Sequence, residues 1–182
     1  MSRQSTRRLV EISKTIQKPK DVSIVVPYVP GMLHPLTEKW ASEWAQARLV
    51  ELDPNDDTSY YELLAEEWRK PGMLIVVEQD IVPGKRTLEY FLRCGHFWCV
   101  SPYLIANGTL LNYGLGCVRF SDGLKKKWPG LMNRVGYLDD GGVPAKTWRR
   151  LDVRVAQVLQ QLEHNPHQHG QSLHLHDYRK NP

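Results

Sequence analysis

Three short β-rich runs, each followed by a stretch of helical periodicity, limit what this chain can fold into more than any other feature. Asp21–Gly31 (DVSIVVPYVPG) is closed by proline and glycine, the pattern of a buried strand entering a loop. In HPLTEKWASEWAQA, Thr37 is a candidate N-cap, and Trp40, Trp44 and Ala47 recur three or four residues apart on one helical face. RLVELD supplies a second strand, and a helix from about Ser59 to Arg69 stops at Pro71-Gly72. Met73–Val77 is the third strand, with a helix in GKRTLEYFLRC behind it. This β-α-β-α-β-α order predicts an α/β fold: a mixed, mostly parallel central sheet flanked by helices. Such sheets bind ligands beyond the carboxyl ends of their strands.

Composition narrows the class. With 182 residues, 41% apolar and 24% charged, the sequence describes one globular domain over 21–182, preceded by a basic arm, 1–20, and ending in a His-rich segment, 163–182. There is no apolar run of about 18 residues, and the Arg-rich start lacks the apolar centre of a signal peptide. A soluble, cytoplasmic protein without a membrane partner is expected. The formal net charge of +4 is concentrated in the arm, where six basic residues face one acid, Glu11, so the rest of the chain is close to neutral. A basic arm suits phosphate backbones or acidic surfaces, and equally a solvated tail. Lys125–Lys127 reads as wet surface. Cys94, Cys99 and Cys117 are odd in number and none has CxxC spacing, so neither a disulfide framework nor a zinc knuckle is expected, and they read as small buried residues.

The third strand ends in acids. In VVEQDIVP, Glu78 and Asp80 are two apart, and residues so spaced on extended chain project to the same side. Two neighbouring carboxylates are stable with a positive group between them, and a divalent cation takes oxygen ligands of this type. The alternative is a pair of loop acids capping the helix that begins near Thr87. GxGxxG and GxxxxGK are absent, so neither a dinucleotide fold nor a P-loop is supported; the GLG at 114–116 permits only close backbone approach.

SIVVPYVPG, VELDPNDDTS and LIVVEQDIVPGKRTLEYFL resemble, in order and spacing, the nucleotide-sugar-binding half of GT-A fold glycosyltransferases, particularly the glycosyltransferase group 2-like family. The match is good over roughly Asp21–Leu92 and loose beyond it. It implies a GT-A-like, Rossmann-like sheet and a hexosyltransferase-like activity with a nucleotide-sugar donor, a UDP-sugar, and Mn or Mg. By position it implies Pro27 at the pocket entrance, Asp53 as the base-contacting acid with Asp56 or Asp57 as substitutes, Gln79 among the donor contacts, and Glu78 and Asp80 as the metal motif. Here the first acid is Glu, whose longer side chain reaches a metal through water.

Sugar transfer with inversion needs a carboxylate to take the acceptor's proton. The resemblance implies an acid just before a helix in YLDDGGVPAKTWRRLDVRVAQVLQQLE, giving Asp152 first and Asp140 second; Asp139–Gly142 also has turn composition, and Asp152 can instead pair with Arg149 or Arg150. In the tail, His174 and His176 alternate with Leu173 and Leu175, placing both imidazoles on one face of a strand, and the resemblance implies that His174 or His176 completes the metal cluster begun at Glu78 and Asp80. His164, His167 and His169 read as loop residues; for the tail as a whole the alternatives are a disordered His-rich segment without function and a separate metal site. Trp128, beside Pro129-Gly130, is the candidate for stacking on a sugar or base, and Trp40, Trp44, Trp68, Trp98 and Trp148 read as core. The functional expectation is a metal-dependent glycosyltransferase whose acceptor hydroxyl, on DNA, a glycan or a protein, is left open. The competing expectation is a non-catalytic nucleic-acid-binding protein using the basic arm and the His-rich tail.

Overall fold

The computed structural model describes residues 21–138, 141–142 and 144–175. The basic arm, Asp139, Asp140 and His176 lie outside the described residues. Ten strands and six helices follow one another as β1 (Val22–Tyr28), α1 (Pro35–Ser42), β2 (Ala47–Glu51), α2 (Ser59–Arg69), β3 (Met73–Val77), β4 (Ile81–Val82), α3 (Thr87–Arg93), β5 (Trp98–Val100), β6 (Tyr103–Leu104), β7 (Leu110–Leu111), β8 (Cys117–Phe120), α4 (Asp122–Lys127), α5 (Leu131–Tyr137), α6 (Leu151–Gln161), β9 (His167–Gln168) and β10 (Leu173–His174).

The main sheet has the order β2-β1-β3-β8-β5-β9. β1 runs parallel to β2 and β3, and β5 parallel to β9, while β8 is antiparallel to both of its neighbours. The sheet is therefore α/β and mostly parallel. Two small antiparallel ribbons, β4 with β10 and β6 with β7, sit beside it.

Alternation along the strands builds two cores. Val25, Leu74, Val76, Val118 and Phe120 face one side, under α2, α5 and α6; Ile24, Val26, Ile75, Val77, Cys99 and Cys117 face the other, under α1 and α3. Burial on both faces explains why β3 is an unbroken apolar run. Helix α2 is amphipathic, and each fully buried aliphatic side chain on it, Leu64 among them, contributes roughly 1.5–3 kcal/mol. Its last turn places Glu67 in the core edge, where Ser23 Oγ (2.9 Å), Lys70 Nζ (2.6 Å) and Arg48 Nη2 (2.5 Å) all donate to the carboxylate.

Several local expectations are corrected. Thr37 is not the N-cap of α1: Pro35 pre-sets the first helical φ, extended His34 caps through Nδ1 accepting from Leu36 N (3.1 Å), and buried Thr37 Oγ1 donates to Ile81 O (3.1 Å). Trp44 lies beyond the helix and Ala47 opens β2, because the chain must turn back to pair with β1. Lys125 is no surface lysine: it is buried, and its Nζ donates to Glu67 O (3.0 Å). His167 lies in β9 rather than a loop.

Candidate functional site

The register pairs Pro27 with Val50 and Val25 with Val76, so β1, β2 and β3 all finish at one edge of the sheet. The loops that follow them enclose a cavity of about 460 Å³. Pro27, Asp53, Asp57, Glu78, Gln79 and Asp80 all line it. The two acids of β3 are thus not helix caps: α3 begins at Thr87 behind Arg86, and Glu78–Asp80 form the turn into β4, with Ile81 N donating to Glu78 O (3.0 Å).

Each wall residue is held by a specific bond. Glu78 N donates to Gly116 O (2.9 Å), tying the acid motif to the start of β8, and Tyr60 Oη, from the first turn of α2, donates to Glu78 Oε1 (3.0 Å). Gln79 is spent on scaffold: its Oε1 accepts from Val29 N (2.7 Å) and its carbonyl from His34 N (2.9 Å), closing the loop after β1. Asp53 Oδ1 accepts from Asn55 N (2.8 Å), and Asp57 Oδ1 accepts from Trp148 Nε1 (3.1 Å). The β4–β10 ribbon brings His174 opposite Ile81, so His174 Nε2 lies 3.3 Å from Asp80 Oδ2, while its Nδ1 sits 3.2 Å from Leu104 O. With Nδ1–H donating to a carbonyl, a bond from Nε2 to a carboxylate requires a second proton.

Negative charge is in excess here. Burial, then the charge of Asp80, push Glu78 up to about 7, with Asp152 adding and the Tyr60 hydrogen bond opposing. Burial also raises Asp152, against the bond from Val153 N (2.8 Å) and the charges of Arg150 and Arg154. Burial pulls His174 down, but the bond and charge of Asp80 outweigh it and leave the imidazole raised. Tyr60 and Tyr103 are raised first by burial and next by Glu78. Glu78, raised by the charges of both Asp80 and Asp152, together with the imidazole beside Asp80, offers the charge and donor chemistry that a dication takes. Glu78, Asp80 and His174 are not, however, a set whose ligand atoms all lie within 4.8 Å of one another. Asp80 would be the direct ligand, with Glu78 engaged by Tyr60 and reaching a metal through water.

Two aromatic expectations change places. Trp148, expected in the core, is 55% exposed and lines the cavity. Its indole is fixed by Asp57, and its backbone N donates to Asp57 O (2.8 Å). Trp128 lines no part of this cavity: it caps α4, and its Nε1 donates to His164 Nε2 (3.2 Å). Tyr60 was hidden in the sequence as one more core position of α2. The close approach at Gly114 and Gly116 is to Tyr103, since a Cβ on either would sit 2.5 Å from that side chain.

No family model and no curated protein matches the sequence. Among solved structures, "Crystal Structure of A197 from STIV" resembles the chain with a TM-score of 0.47 and 8% sequence identity, over 84% of this chain and 83% of that one, a likeness too distant to bear on function. Among the described residues no helix is long and apolar enough to cross a membrane.

Proposed function

We propose that the protein is a metal-dependent glycosyltransferase of hexosyltransferase type, built on a GT-A-like fold, that moves a sugar from a UDP-sugar to an acceptor hydroxyl. One observation carries this reading. The residues that the family resemblance assigns to the donor, separated by up to 53 positions, line a single cavity beyond the carboxyl ends of β1, β2 and β3.

The chemistry follows from the walls. Trp148 offers an aromatic face to a base, and Asp53 offers a carboxylate to its N–H groups. Asp80, with Glu78 behind it, would hold Mn or Mg, whose charge stabilises the departing diphosphate. The acceptor oxygen bonds to the anomeric carbon as the carbon–phosphate oxygen bond breaks, and the electron pair leaves with UDP. Asp152 does not line the cavity itself, but its charge reaches Glu78, and we assign it the acceptor's proton; its raised affinity for protons, set by burial, suits a general base.

A thermal-shift panel of nucleoside diphosphates with and without divalent ions tests the proposal. UDP with Mn at about 100 times its Kd should stabilise by about 2.7 kcal/mol, which for a chain this size raises Tm by roughly 5–10 °C. Asp80→Ala should abolish the response. A protein indifferent to every nucleotide and metal, yet binding nucleic acid with a steep salt dependence, would be the competing binder instead.

A further inference from the structure

Away from the cavity, on the α1 and α3 side of the sheet, four soft ligands converge. Cys94 follows the last turn of α3, Cys99 lies in the middle of β5, and His167 opens β9 with His169 just past it. Parallel pairing sets Cys99 directly opposite His167. One ligand atom from each of the four lies within 4.8 Å of every other, the one such group of three or more His, Cys, Asp or Glu among the described residues. Cys94 Sγ is 3.3 Å from His167 Nδ1, and His167 Nδ1 is 3.0 Å from His169 Nε2.

We propose that Cys94, Cys99, His167 and His169 form a structural zinc site. Metal–ligand bonds of about 2.3 Å to sulfur and about 2.0–2.1 Å to nitrogen put tetrahedral ligands roughly 3.3–3.8 Å apart. The two separations above are already within a few tenths of an ångström of that spacing. Two sulfurs and two imidazoles select zinc over the hard, oxygen-seeking Mn and Mg proposed for the cavity. Four protein ligands close the tetrahedron, so the site binds and braces without offering a position to substrate.

One basic side chain is packed against the cysteine pair. Buried Arg119, whose side chain shares this face of β8, donates from Nη1 to Cys99 Sγ (3.7 Å) and from Nη2 to Cys94 O (3.0 Å). Nη1 also donates to His96 O, so one guanidinium fixes the Cys94–Cys99 turn and sets a positive charge against the Cys99 sulfur. The histidine strand is docked independently: His169 N donates to Val100 O (2.9 Å), and Ser172 Oγ donates to Ser101 Oγ (2.8 Å). A metal here therefore joins the edge of the main sheet to the segment that, five residues on, delivers His174 to Asp80.

The test uses the full, untagged chain. Purified in zinc-containing buffer and gel-filtered, it should carry about one zinc per chain by plasma mass spectrometry. Cobalt should replace the zinc, giving intense tetrahedral d–d bands and thiolate-to-cobalt charge transfer. Cys99→Ser and His169→Gln should each lose at least nine-tenths of the metal, whereas Asp80→Ala and His174→Ala should keep it, which separates this site from the cavity. The cobalt spectrum of the unmutated protein needs no variant to fold. A chain free of zinc, cobalt without sulfur ligation, zinc retained by both ligand variants, or a native Cys94–Cys99 disulfide would each overturn the proposal.

Discussion

Replacing Glu78 by Gln should make the protein more stable, and by an amount that depends on pH. The folded carboxyl titrates near 7, against 4.5 for the same group in the open chain. A folded-state value above the unfolded one means that the native chain holds the proton longer, so stability falls as pH climbs from about 4.5 to about 7 and stays reduced above that. The full difference of about 2.5 pH units converts at 1.36 kcal/mol each to roughly 3 kcal/mol at pH 8, and to under about 1 kcal/mol at pH 5. Water entering the cavity screens the group and reduces the figure, so about 1–3 kcal/mol is expected at pH 8. Gln keeps an oxygen for Tyr60 Oη and loses only the charge. Urea unfolding of Glu78→Gln and the parent at pH 5 and pH 8, without added Mn or Mg, gives the difference directly. A variant that is less stable at pH 8, or whose gain is the same at both pH values, would show that no desolvated carboxylate strains this turn.

Two further perturbations probe the support behind Glu78 and the cavity wall itself. Gly116→Ala places a Cβ 2.5 Å from Tyr103 Cε1 and should cost about 1–3 kcal/mol in urea unfolding; the cost should shrink sharply in a Tyr103→Leu background, and simple additivity would refute the contact. Under the proposed function, Trp148→Ala should weaken UDP binding about 5-fold to 150-fold in titration calorimetry, the loss of about 1–3 kcal/mol of stacking, with little effect on unfolding because the ring is 55% exposed. Unchanged UDP affinity would remove the indole from the donor site.

What could be read in the amino-acid sequence was whatever its own neighbours determine. The apolar runs of β1 and β3 and the periodicity of α2 need only local residues to declare themselves, and their boundaries follow. Glu78 and Asp80 were visible for the same reason, as acids ending a run that has no polar partner of its own. The end of helix α1 is not legible locally, because the two spacings among Trp40, Trp44 and Ala47 fit a longer helix, while the return to pair with β1 decides where it stops. Trp148 was misjudged because its place depends on Asp57, 91 residues earlier. The cysteine and histidine cluster could not announce itself, since Cys94 and His167 are 73 residues apart and no short motif joins them. Burial of Lys125 likewise rests on a carbonyl 58 positions away.

The contact between Asp80 and His174 spans 94 residues. During synthesis β1, β2, β3 and the two acids emerge in the first 60 of the 152 described residues, Trp148 follows much later, and the imidazole comes with the last described element. A chain that stops before β10 lacks the imidazole that sits 3.3 Å from Asp80, so the charge balance at the end of β3 depends on the last described element.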